Sequence, residues 1–338
     1  MRRHRWKLVL GLLVFFLALN LAWTLAAAGL PRLDEAARRR LGLVYLQARF
    51  STYFDLNLPD RVHNIELAAR QIDGLLLQPG QEFSFNAVVG KRTAQRGFRS
   101  APVLVGGELV DGVGGGICQL STTLYNAALL ADLPIRERVH HSRPLGYVAP
   151  GRDATVYDGL YDLRFMNNRD EPVLLSVEII ENRLTVAVWG SSPPKHEVNV
   201  VTVDRKIVPA PVEWVHNPAL AAGGFRVLQM GWDGVSVRVY KEYRGRPGRR
   251  FVSIDLYPPR PYRIELGPNT SKQDILAAVK GVAGEETPAD TGSGKAGDVP
   301  AGDVPAERGP GAVPLSPPAQ SGADVEVESD FGEFPPFP

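Results

Sequence analysis

The chain of 338 residues holds one cysteine, Cys118. An internal disulfide is therefore excluded, and in an exported protein a lone thiol has to be accounted for. No paired metal-ligand spacing such as CxxC or HExxH occurs. A zinc site built from Cys118, His141 and a carboxylate is accordingly weakly supported, and no metal or cofactor is expected. Charge of one sign is also missing: 38 Lys and Arg face 37 Asp and Glu, for a net +1. Dense basic runs are absent beyond the opening MRRHRWK, which argues against a nucleic-acid partner.

The balance hides an asymmetry. Residues 281–338 carry eleven acidic residues against Lys295 and Arg308, with ten Gly and ten Pro and a repeat of AGDVP. Such a segment cannot bury enough apolar surface to fold, so residues 269–338 read as a disordered acidic tail, most clearly from about Gly281. At the other end, residues 8–30 contain no charged side chain. At ~1.5 Å per residue this run is long enough for a hydrocarbon core of ~30 Å. With the basic stub before it, the positive-inside rule predicts a single-pass anchor at 1–30, cytoplasmic N-terminus and extracytoplasmic bulk. Cleavage after the Ala26–Ala28 run, giving a secreted chain, is the competing expectation.

Between the ends the pattern changes near residue 191. Residues 32–50 read as a charged helix, and 61–80 as a helix closed by Pro79-Gly80. VLVGGELV at 103–110 has the signal of a tight hairpin, as do VLLSVEII and RLTVAVW around Glu181-Asn182. A helix is predicted from Ile117 to Ala131. These readings give an α+β domain at 31–190, a central helix against mostly antiparallel strands. SSPPK opens a linker at 191–204, and a small all-β module with glycine-marked turns follows at 205–268.

The cysteine sits in GVGGGICQLSTTLYNAALLA, residues 112–131. Helical spacing puts Ile117, Leu120, Leu124, Ala127 and Ala131 on a core face. Cys118, Ser121 or Thr122, and Tyr125 form a more polar stripe beside it. A thiol in a first helical turn faces unpaired N–H groups and the positive end of the helix dipole, which favours the thiolate. Amides of Gly114, Gly115 and Gly116 can approach a carbonyl and stabilise an oxyanion. A nucleophile also needs a base. In IRERVHHS, a period of two puts Ile135, Val139 and His141 on the inward face, so His141 is the better candidate than His140. The orienting carboxylate is Asp153, Asp158 or Asp162. Against this stands a bland reading, in which Cys118 is a small buried hydrophobe and GGG a tight backbone crossing.

RVHNIELAA, PGQEFSFN, GGGICQLSTTLYNAALLA, HHSRPLGYVAPGRDATV and YDLRFMNN, in this order over residues 49–190, resemble the VanW family. The resemblance implies a bacterial cell-envelope protein, accessory to vancomycin resistance in the family's namesake, without an established reaction. Within these blocks Asp153 fits better than Asp158. Gln119, Asn126, Ser142 and Arg152 join Gly114–Gly116, Ser121, Thr122 and Tyr125 as candidate substrate-binding residues. Residues 205–267, with GGFRVLQMGWDGVSVRVYKEY, resemble a G-five domain, which implies adhesion or glycan association. Two functions follow. One is an enzyme with Cys118 as nucleophile, His141 as base and Asp153 as orienter, performing acyl transfer or amide hydrolysis on peptidoglycan stem peptides. The other is a non-catalytic module binding peptidoglycan or glycan.

Overall fold

The computed structural model describes residues 34–284. In chain order the elements are α1 (Glu35–Arg40), β1 (Tyr45–Tyr53), α2 (Pro59–Ile72), β2 (Leu75–Leu77), β3 (Glu82–Ser84) and α3 (Phe85–Val89). There follow the strands β4 (Ser100–Val105) and β5 (Glu108–Val113), helix α4 (Ile117–Leu130), and strands β6 (Ile135–Glu137), β7 (Arg164–Met166), β8 (Val173–Ile180) and β9 (Arg183–Gly190). The remainder comprises β10 (Val198–Val208), β11 (Val212–His216), β12 (Phe225–Gln229), β13 (Gly234–Tyr243), β14 (Arg249–Tyr257), β15 (Tyr262–Leu266) and α5 (Lys272–Gly284).

This architecture corrects the α+β expectation. The described residues are mostly antiparallel strand in five small sheets, and helices are few. The reason lies in segments that fail as helices. The helix expected over 32–50 stops at Arg40, because Gly42 adopts a left-handed φ of +72° and Tyr45–Tyr53 pairs antiparallel with β9 instead. The helix expected over 61–80 ends at Ile72, and the apolar run Leu75–Leu77 pairs with β8. No helix among the described residues is long and apolar enough to cross a membrane. The expected anchor at 8–30 lies outside the described residues, as does the tail beyond Gly284. The tail expectation also needs correction inside that limit, for Lys272–Gly284 is helical. Ile275 and Val279, four residues apart, bury one face against Tyr262, Ile264 and Leu266.

The main sheet runs β1-β9-β8-β2, and helices α2 and α4 pack together beside it. Pro59 at the first turn of α2 fits a position whose N–H has no intrahelical partner. Its face of Asn64, Ile65, Ala68, Ala69 and Ile72 is buried. Helix α4 is enclosed almost all round. Gln119 through Leu129 are buried, so the polar stripe inferred from spacing faces protein rather than solvent. The same core takes Val198, Val200 and Val239 from β10 and β13, so the β10-β13-β14 sheet covers the VanW-resembling part directly. A second small core gathers under β11-β15-β12.

One side chain ties α2 to the glycine loop. Asn64, fully buried, donates from Nδ2 to the carbonyls of Arg99 (2.9 Å) and Gly115 (3.0 Å) and accepts from the Arg99 N–H (2.8 Å). Asn64→Ala removes the partner of the Gly115 carbonyl and of the Arg99 N–H, whereas the Arg99 carbonyl keeps the Gly114 N–H. Each such group costs ~1–3 kcal/mol, so we expect a loss of ~2–4 kcal/mol, read as a lowered urea midpoint at unchanged slope.

Candidate active site

Three glycines deliver the chain into α4. Gly116 holds φ at +103°, and a Cβ there would meet the Arg61 Cγ at 2.9 Å and the Ile65 Cγ1 at 3.0 Å. Gly115 lies so close to the β4 strand that a Cβ would fall 2.5 Å from the Ala101 carbonyl oxygen. The glycines therefore make a tight crossing, and that crossing sets Cys118 in the first turn of α4. Cys118 lies deep among protein atoms yet keeps partial exposure.

Cys118, His141 and Asp153 come together. The Cys118 Sγ lies 3.7 Å from the Val156 carbonyl and within reach of the His141 charge, and His141 Nδ1 lies 2.6 Å from Asp153 Oδ2. With Nδ1–H donating to the carboxylate, Nε2 is the nitrogen left for sulfur. The His141 backbone N–H donates to the same oxygen at 2.6 Å, which fixes the ring on its carboxylate. The other oxygen, Oδ1, accepts from Arg138 Nη2 at 3.2 Å and from the Tyr257 hydroxyl. His141 is 6% exposed and Asp153 1%, so the charges interact without water between them.

The electrostatics follow. Burial alone would raise the Asp153 carboxyl, but the bond and charge of His141, then Arg138 and Tyr257, hold it down at about 2. Burial would lower the His141 imidazole, but Asp153 and the Cys118 sulfur push it up to about 9. Burial would raise the thiol as well. The His141 bond and charge, the backbone at Val156 and the charge of Arg92 outweigh it, and the thiol ends below its ordinary value. Both shifts move the pair towards thiolate beside imidazolium, the activated form of a nucleophilic cysteine.

The other candidates have different placements. The N–H groups of Gly114 and Gly115 already donate to Arg99 and Gly112 carbonyls, and those of Ile117 and Gln119 to Gly114 and Gly116. The N–H groups of Gly116 and Cys118 remain as the open donors of this turn. Gln119 is turned away from the thiol: its Nε2 donates to Thr52 Oγ1 (3.0 Å) and the Tyr53 carbonyl (2.8 Å). Ser121 donates to the Ala154 carbonyl at 2.6 Å, and Thr122 Oγ1 accepts from the Ala154 N–H at 3.0 Å. Asn126 and Arg152 are buried and bonded to each other, with Arg152 also donating to the Val200 carbonyl at 2.8 Å. Tyr125 lies in the core with the Arg138 guanidinium 5.2 Å from its ring centre. Ser121, Thr122 and Asn126 thus hold residues 152–154 onto α4, and Ser142 is exposed. Asp158 pairs with Arg92 at 2.5 Å, and Asp162 accepts from Ser84 and Asn86. Neither stands behind His141.

Sequence reasoning missed the residues that complete the surroundings. Arg138 bridges Asp153 and Asp255, reaching Asp255 Oδ1 at 2.6 Å. Tyr257 adds its hydroxyl to Asp153, accepts from the Gly151 N–H at 2.7 Å, and packs its ring on His140. Both Tyr257 and Asp255 come from β14, more than a hundred residues away, which no local spacing could signal. Arg92 packs its stem on Gly114, while Tyr147 feels the Cys118 charge. Among the described residues no three His, Cys, Asp or Glu side chains gather as a metal site.

Residues 60–189 match the family described as VanW like protein. An uncharacterized protein, YoaR, of Bacillus subtilis (strain 168) is 42% identical over 161 residues, covering 48% of this chain and 53% of that protein. The vancomycin B-type resistance protein VanW of Enterococcus faecalis (strain ATCC 700802 / V583) is 29% identical over 151 residues, covering 43% and 55%. The chain thus spans about half the length of these curated relatives. Among solved structures, the G5 domain of IgA1 protease is similar at 25% identity, covering 22% of this chain and 93% of that one, with a TM-score of 0.19. The HP0197 G5 domain is similar at 20% identity, covering 22% and 99%, with a TM-score of 0.17.

The Asp153 carboxylate makes stability depend on acid. Its folded value lies below its ordinary 3.8, so the stabilisation is complete above that pH and is lost as pH falls towards about 2. A shift of this size corresponds to about 2 kcal/mol. In urea titrations, the stability gap between the native chain and Asp153→Asn should be widest near neutrality and close between pH 4 and 2. Tyr257→Phe, measured at pH 7, should cost ~1–3 kcal/mol by leaving the Gly151 N–H unpaired.

Proposed function

We propose, from the premise that residues 60–189 are a VanW-like domain, that the protein is a cysteine-dependent acyl-transfer enzyme of the cell envelope acting on peptidoglycan stem peptides. A first-turn thiol that feels the charge of an imidazole held by a buried carboxylate carries this reading. A thiol kept only for packing gains nothing from a charged histidine at 6% exposure, whereas a nucleophile needs one. The relative named as a vancomycin resistance protein supports an envelope substrate for the shared domain.

The chemistry runs in two halves. The Cys118 thiolate attacks an amide carbonyl carbon, forming the C–S bond and placing negative charge on oxygen near the N–H groups of Gly116 and Cys118. The oxyanion collapses, the C–N bond breaks, and the His141 imidazolium gives its proton to the departing amine. An incoming water or amine then loses a proton to the neutral His141 while attacking the thioester, which restores the thiolate. Water gives hydrolysis and a second amine gives transpeptidation or acyl transfer. Asp153 keeps Nδ1 as the donor nitrogen throughout.

The test is incubation of the full chain with purified peptidoglycan and with synthetic stem peptides, followed by mass spectrometry of products. The native chain should yield a cleaved or amine-exchanged peptide, and Cys118→Ala should yield none. His141→Gln should lower the rate by about a thousandfold, within the range general acid–base groups supply. Turnover should decline as pH passes about 9, where His141 loses its proton. An unchanged rate in Cys118→Ala would overturn the proposal.

A further inference from the structure

Arg61 is a half-buried cation without an ion pair among the described residues. It leaves α2 beside the glycine loop, with its Cγ against Gly116 and its Nη2 donating 2.6 Å to Gln119 Oε1. Gln119 is 1% exposed, and its own N–H groups are committed to Thr52 and Tyr53. Thr123 locks the assembly by donating to the Gln119 carbonyl (2.7 Å) and pairing with the Thr52 hydroxyl (2.8 Å). Three buried side chains, Thr52, Gln119 and Thr123, thus point one neutral oxygen at Arg61, on the turn that carries Cys118 and within reach of the charge on its sulfur.

The neighbouring arginines are neutralised. Arg138 sits between Asp153 and Asp255, and Arg92 pairs with Asp158. Arg152 lacks a carboxylate but is filled by Asn126, the Val200 carbonyl and the face of Phe50. Arg61 has no carboxylate within ion-pair distance among the described residues. Asp55, Tyr147 and the sulfur act on it only through their charge, and desolvation opposes its ionised form. A half-buried guanidinium with one neutral acceptor retains most of its planar fork for an incoming anion.

We propose that Arg61 is a carboxylate subsite of the acyl-transfer centre, receiving a substrate carboxylate within a few bonds of the carbon that Cys118 attacks. This rests on the acyl-transfer reading and adds the substrate class: an acyl donor that bears a free carboxylate close to its reacting carbonyl. Bidentate pairing of guanidinium with carboxylate supplies both affinity and orientation. Gln119 is then a positioning residue for Arg61.

The test uses two alkylating probes of nearly equal size that differ in charge, iodoacetate and neutral iodoacetamide. Second-order rate constants for Cys118 are measured on the full chain at fixed pH and ionic strength, together with the pH profile of iodoacetamide reaction. The iodoacetate-to-iodoacetamide ratio in the native chain should exceed that of Arg61→Gln by about ten-fold, the size of one charge-assisted contact. Arg61→Lys keeps the charge but loses the fork, and should fall between them. Gln119→Glu, which leaves Arg61 in place and fills it with an internal carboxylate, should also abolish the preference and covers the case of an unfolded Arg61 variant. An equal ratio in native chain, Arg61→Gln and Gln119→Glu, with the thiol still titrating low, would overturn the subsite alone. An iodoacetamide profile of an ordinary thiol in the native chain would instead overturn the acyl-transfer reading on which it rests.

Discussion

The buried carboxylate of Asp153 is the constraint on which the site depends. It brings negative charge into a region closed to water, a placement that costs several kcal/mol unless each oxygen is paired. Oδ2 is matched by the backbone and ring N–H groups of His141, and Oδ1 by Arg138 and Tyr257. Those partners come from two stretches, the chain after β6 and β14, and they meet the carboxylate on a loop bonded to α4. Holding one carboxylate therefore requires the two sheets and the central helix to be in place together. Through His141 the same charge reaches sulfur, so fold stability and thiol activation share a single anion.

The glycine loop serves the same end from the other side. It is as bland as the packing reading supposes, because Gly115 and Gly116 are where they are for want of space. Yet that lack of space sets the thiol at a helix start, opposite the imidazole, with Arg61 and Arg92 packed on Gly116 and Gly114. The structural and functional readings of GGGIC are thus not competitors. A tight crossing is how the sequence brings a first-turn thiol, two guanidinium stems and an oriented histidine to one place.

What was legible in the sequence was local. The helix beginning at Ile117, the hairpin around Gly106-Gly107 and the turn at Glu181-Asn182 follow from spacing and turn chemistry, and they stand in the structure. The class was misread because apolar runs such as Leu75–Leu77 look helical by continuity until a partner strand claims them. The inward face of 135–141 was read from strict alternation, but β6 ends at Glu137 and Arg138 is buried alongside His141. His141 meets Asp153 through a bend rather than through the pleat. Tyr257, Asp255 and the hold of Gln119 on Arg61 were out of reach, since they depend on elements separated by tens to more than a hundred residues. The buried state of Ser121, Thr122 and Asn126 was also hidden, because a polar stripe on a helix looks the same whether water or a backbone strand covers it.

The central claim is that Asp153 keeps His141 protonated beside a thiolate at neutral pH. Nitrogen-15 NMR of labelled histidine in the full chain reads this directly, following both ring nitrogens of His141 from pH 5 to 10. Two protonated nitrogens are expected until about pH 9, with the transition moving to lower pH in Cys118→Ala, where the partner anion is gone. A His141 ring that is neutral at pH 7 in the native chain, with no response to removal of the thiol, would contradict it.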